Sequence, residues 1–198
     1  MPVSYTHLRI HWKASAREQK LMVYNNDSTT RQSLSVLLNM QSREVERDEV
    51  IDRDGIERAI RVCAAVFEET LGNGMPLRFL TNGQIRESTE SYVSEELWGN
   101  GHVHSLLLTL AALRLRSVEF FGRFLKGAAA KTDSTDLVIV TCYFDGEIAE
   151  YISRKLADGV HVKVFLLAAV PTSAVPAGCE ICCLPDEPGR GGKTDETH

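Results

Sequence analysis

An α/β fold with a doubly wound, mostly parallel sheet is predicted by three observations. Short apolar runs recur along the chain: LSVLL at 34–38, MPLRFL at 75–80, DLVIVTCYF at 136–144 and VHVKVFLLAAV at 160–170. Runs of this kind read as strands buried on both faces of a parallel sheet. Segments with apolar residues at helical spacing lie between them, so strand and helix alternate. Glycine and asparagine punctuate the pattern, as at Gly72, Gly74 and Thr81-Asn82-Gly83.

In chain order, Leu8, Ile10 and Trp12 alternate with Arg9 and His11, which predicts a short strand, and residues 21–24 predict a second. Residues 33–39 form the first strand of the main sheet, followed by a charged loop over 41–53. Ile56, Ile60, Cys63, Ala64, Phe67 and Leu71 then recur at helical spacing. Asp54 and Glu57 read as the capping box of that helix, and Gly72 and Gly74 as its stop. The strand at 75–80 completes a right-handed parallel crossover. Residues 84–100 read as irregular. A second helix is predicted over 102–114, with Leu106, Leu107, Leu110 and Leu113 on one side, and a third over 118–125. A strand over 136–144, an amphipathic helix over 146–157, a strand over 160–170 and an edge strand over 180–184 complete the fold. The Gly-, Pro- and charge-rich residues 185–198 are expected to be disordered.

Composition excludes several classes. The chain has 198 residues and a net charge of -5 from 22 Lys and Arg against 27 Asp and Glu. That acidic balance argues against non-specific binding to nucleic acid or anionic lipid. No apolar run reaches the ~18 residues a membrane-spanning helix needs. Five cysteines without a secretory signal are expected to be reduced thiols.

The run Ile10-His11-Trp12-Lys13-Ala14-Ser15-Ala16-Arg17, followed by Leu21-Met22-Val23, resembles the signature of the bacterial family called domain of unknown function 58. The resemblance covers residues 9–184. In that family the motif follows two transmembrane helices and a β-rich segment, and precedes a von Willebrand factor type A-like, Rossmann-like domain. The resemblance therefore implies an N-terminally truncated fragment of a membrane-associated protein. Residues 1–8 are then linker or non-native, 9–31 a remnant of the upstream segment, and 32–184 the type A-like domain. Trp12 and Lys13 are expected to pack between the motif and the sheet. The implied location is the cytoplasmic side of the bacterial membrane, reached through the missing N-terminal part, with this fragment soluble. The implied partner is a protein, a MoxR-type AAA+ ATPase, and not nucleic acid.

The type A fold is associated with a metal-ion-dependent adhesion site, whose first element is an Asp-x-Ser-x-Ser turn supplying hard oxygens to Mg²⁺. Here the three positions hold Asn39, Gln41 and Arg43. Two are neutral, and Arg43 offers only donors and a positive charge. The later acidic position falls near Thr141 and Cys142, and a thiol is a poor Mg²⁺ ligand. Asp145 is the nearest carboxylate for a weak Mg²⁺ contact. The site is thus expected to be degenerate, with no metal and no cofactor, and Arg43 is expected to meet a partner carboxylate directly.

Other chemistry finds less support. The turn after the first strand lacks the glycines and lysine of a phosphate loop. Cys179-Glu180-Ile181-Cys182 is a single C-x-x-C, where structural zinc needs more ligands; these residues read as an edge strand. His102 and His104 read as solvated or capping side chains, and Glu44, Glu46, Asp48 and Glu49 as a solvated acidic loop. The expected function is a non-enzymatic protein-interaction module without catalytic residues. The opposing reading is a metal-dependent or small-ligand-binding enzyme using the same sheet edge.

Overall fold

The computed structural model describes residues 8–10, 23–25, 32–46 and 50–185. Strands β1 (Leu8–Ile10) and β2 (Val23–Asn25) pair antiparallel. The rest of the IHWKASAR motif, residues 11–17, lies outside the described residues, as do the tail residues 186–198 and the acidic residues Asp48 and Glu49.

The main sheet begins with β3 (Leu34–Leu38), every residue of which is buried. The chain then forms α1 (Arg53–Leu71), β4 (Leu77–Thr81), β5 (Gly83–Ile85), β6 (Tyr92–Val93), α2 (Asn100–Ala111), β7 (Leu113–Ser117) and α3 (Phe121–Lys126). It continues through β8 (Asp136–Thr141), α4 (Gly146–Ala157), β9 (His161–Leu166) and β10 (Glu180–Cys183). The six-stranded sheet has the order β10-β9-β8-β3-β4-β6. All neighbours run parallel except β6, which is antiparallel to β4. Counted along the chain from β3, this is the doubly wound order 3-2-1-4-5-6, with its switch point between β3 and β8.

Alternation along β3 divides the core. Leu34, Val36 and Leu38 face one layer with Ile56, Cys63 and Phe67 of α1 and Leu106 and Leu110 of α2. Leu37 faces the other with Phe121 and Phe124 of α3 and Ile148 and Ile152 of α4. Each such buried side chain contributes ~1.5–3 kcal/mol relative to exposure. Phe67 meets Phe79 edge-on at 5.2 Å between ring centroids. Burial on both faces is why β3 reads as an apolar run interrupted only by Ser35. Among the described residues no helix is long and apolar enough to cross a membrane.

Four sequence expectations need correction. Helix α1 is capped by Asp52, whose side chain accepts from the Gly55 amide at 2.9 Å. Asp54 cannot close a capping box with Glu57 because it already lies inside the helix. The second helix stops at Ala111: Leu113 and Leu115 alternate with exposed Arg114 and Arg116, and this two-residue period makes β7 a strand pairing antiparallel with β5. The third helix starts at Phe121 rather than near Val118, because the Val118 amide is committed to the Asn82 carbonyl at 2.9 Å. Residues 84–100 also hold the edge strand β6, aligned by Ser94, whose hydroxyl accepts from the Phe79 amide at 2.9 Å.

Candidate functional site at the switch point

At the carboxyl edge of a doubly wound sheet, the chain leaves the two strands flanking the switch point in opposite directions and opens a crevice between them. Here those exits are Asn39 after β3 and the end of β8 at Thr141. Parallel pairing continues past β3, with the Asn39 amide on the Val140 carbonyl at 2.9 Å. The Asn39 carboxamide then crosses the crevice and donates to Thr141 Oγ1 at 3.0 Å. Its Oδ1 accepts from the Gln41 amide at 2.9 Å, bending the chain into a turn. Thr141 passes the bond on, donating to the Tyr143 carbonyl at 2.8 Å. Asn39 and Thr141 are fully buried.

Gln41 also spans two segments. Its Nε2 donates to the Glu46 carbonyl at 2.7 Å, and its Oε1 accepts from the Phe121 amide at 2.6 Å, at the start of α3. Next to it, Asn82 Oδ1 accepts from the Met40 amide at 2.8 Å and its Nδ2 donates to the Glu119 carbonyl at 3.0 Å. The three polar side chains therefore act as staples joining β3, β4, β8 and the approach to α3.

Glu46 contradicts the solvated-loop expectation: it is 5% exposed. Its carboxylate turns inward and accepts from the Ser42 amide, from Ser42 Oγ at 2.9 Å, from the Arg43 amide at 3.3 Å and from the Ile51 amide. The Ser42 hydroxyl oxygen in turn accepts from the Asp52 amide at 3.1 Å. A loop whose amides converge in this way is a receptor for negative charge, and the chain fills it with its own carboxylate. Such a turn has the opposite polarity to a cation site.

The remaining sequence candidates separate into three environments. Asp145 caps α4, its Oδ1 accepting from the Ile148 amide at 2.9 Å, and is 7% exposed. Cys142 is buried; desolvation, reinforced by the Asp52 and Glu46 carboxylates, pushes its thiol up to about 12. Burial thus favours the neutral thiol over the thiolate, the form that attacks and ligates. Arg43 is exposed. Of the five residues expected at the edge, Asn39, Gln41 and Thr141 come together, Asp145 is engaged at its own helix, and Arg43 faces outward. Among the described residues no three His, Cys, Asp or Glu side chains are placed to hold one metal ion.

Elsewhere, Cys182 and Cys183 lie in the edge strand β10 opposite Phe165 and Leu166. His102 is half-buried, with Nε2 2.8 Å from the Leu77 carbonyl, so that nitrogen carries the proton; His104 is exposed. Sequence reasoning missed Ser42, Glu46 and Asn82. For Asn82 a signal existed, since Asn-Gly directly follows an apolar strand. For Glu46 none did.

Fold and site together define an α/β protein with a Rossmann-like sheet whose switch-point crevice is closed by its own side chains. No protein-family model matches the chain, and no curated protein matches it.

Proposed function

We propose that this domain is a non-enzymatic protein-interaction module of a bacterial envelope-associated protein, in the manner of a type A-like domain with a degenerate metal site. The partner docks on the rim of the carboxyl sheet edge, where Arg43 supplies the charge that a bridging cation supplies in an intact site. One observation carries the reading. Of the five edge residues, Arg43 alone is exposed, while the other four are saturated by bonds within the chain or capped inside it. A guanidinium on such a rim pairs with a carboxylate through two parallel hydrogen bonds, without an ion between them.

A MoxR-type AAA+ ATPase from the same organism is the partner to test, because the IHWKASAR resemblance implies one. Binding of that ATPase to the immobilised full chain should weaken at least tenfold on Arg43→Glu, with the thermal transition unchanged. Binding that ignores Arg43→Glu would remove the role of this residue. No binding by the wild type would remove this class of partner.

A further inference from the structure

We propose that a second, basic hollow beside the switch-point loop binds an acidic peptide segment of the partner. The hollow has a volume of about 510 Å³ and is lined by Arg53, Gln84, Arg114, Leu115 and Arg116. This proposal names the chemistry of the partner and rests on the interaction reading given above.

The hollow follows from local structure. In β7 the sequence Leu-Arg-Leu-Arg-Ser alternates, so Arg114 and Arg116 project from one face while Leu113 and Leu115 turn toward the core. Arg53 is the first residue of α1, immediately after the loop, and is exposed. The Val50 amide donates to the Leu115 carbonyl at 3.4 Å and holds the ribbon against that loop. The Asp52 amide donates to Ser42 Oγ at 3.1 Å, which ties the turn holding Arg43 to the residue before Arg53.

A chain of net charge -5 thus gathers three guanidinium groups in one concavity, whose lining among the described residues includes no carboxylate. Like charges brought together repel, and their arrangement gains most from an anionic occupant. Among the described residues the lining offers side-chain forks and a carboxamide, with no glycine through which backbone amides would wrap a phosphate. Planar guanidinium forks match carboxylates two at a time. Arg114 is paired with Glu87 at the surface, with side chains 56% and 82% exposed, and Arg116 has a contact of its own. The Arg114–Glu87 pair is exposed on both sides, and such a pair is weak and exchanges readily for an incoming carboxylate.

The test is fluorescence anisotropy of a labelled hexapeptide of alternating Asp and Glu with the full chain at low salt. The wild type should bind, and the double variant Arg114→Glu, Arg116→Glu should bind at least tenfold more weakly while keeping its thermal transition. Arg114→Lys should lose less, since it keeps the charge and loses only the fork. Absence of wild-type binding, or equal binding by the double variant, overturns the proposal. Displacement of the peptide by 10 mM inorganic phosphate at constant ionic strength also overturns it and assigns the hollow to phosphate. Peptide binding that depends on Arg114 and Arg116, together with ATPase binding that ignores Arg43→Glu, would keep the hollow and discard Arg43. Loss of ATPase binding on Arg43→Glu, with no peptide binding, would do the reverse.

Discussion

Glu46 shows how one side chain reverses the chemistry of a turn. Its carboxylate takes three backbone amides and one hydroxyl of its own loop. Glu46→Gln keeps the shape but turns an NH₂ group toward those donors. A buried donor left without an acceptor costs ~1–3 kcal/mol, and bonds to an ionised acceptor are at the upper end. The variant should unfold about 2–12 °C below the wild type, since each kcal/mol moves a domain of this size by roughly 2–4 °C. Calorimetry checks this; an unchanged midpoint would mean the loop does not depend on its internal anion.

Cys63 and Cys142 give the same scale a pH signature. Burial raises both thiols above the ordinary 9.0, Cys142 to about 12. Above pH 9 the unfolded chain therefore releases protons that the folded chain keeps. Their contribution is complete below pH 9 and falls as pH rises, by up to ~1.4 kcal/mol per pH unit for each thiol. Tyr143 and Tyr151, raised by burial in the same direction, add to the fall above pH 10. Urea unfolding between pH 8 and 10 should show this slope, and Cys142→Ala should make it shallower. A flat profile would place both thiols in solvent.

At the scale of elements, the β5–β7 ribbon depends on Gly83. A Cβ there would lie 2.5 Å from Met40 Cγ and 3.1 Å from both Leu113 Cδ2 and Thr81 Oγ1. Glycine lets β5 pass directly over the end of the first turn. Gly83→Val should cost ~1–3 kcal/mol through overpacking and weaken acidic-peptide binding by displacing β7. A variant as stable as wild type would show that the ribbon has room to shift.

Elements buried on two sides were legible in the sequence, and elements defined by pairing were not. The strands β3 and β8 and the helix Gly146–Ala157 announce themselves because burial selects apolar residues at their own period. The short β5, β6 and β7 do not, because ribbon pairing of a few residues leaves little compositional trace, and the Leu-rich approach to Arg114 mimics a continuing helix. Asn39, Gln41 and Thr141 were found from their place after buried strands. The inward turn of Glu46 was not, because a carboxylate is buried only where folding has already assembled donors for it, and nothing in the run QSREVE at 41–46 distinguishes that glutamate from exposed Glu44.

For the whole molecule, the doubly wound order places the switch point between β3 and β8, and the chain closes that point with neutral amides, a hydroxyl and one internal carboxylate. Exposed arginines lie outside that point, at Arg43 and around the hollow of Arg53, Arg114 and Arg116. A closed switch point is thus separate from a basic periphery. Thermal unfolding of the full chain with and without excess Mg²⁺ tests that separation most directly. A cation bound at 100 times its dissociation constant stabilises the native state by ~2.7 kcal/mol, a rise of roughly 5–10 °C for a domain of this size. The midpoint is expected to be the same with and without Mg²⁺. A rise of that order, abolished by Asn39→Ala, would contradict it and restore the crevice as a metal site.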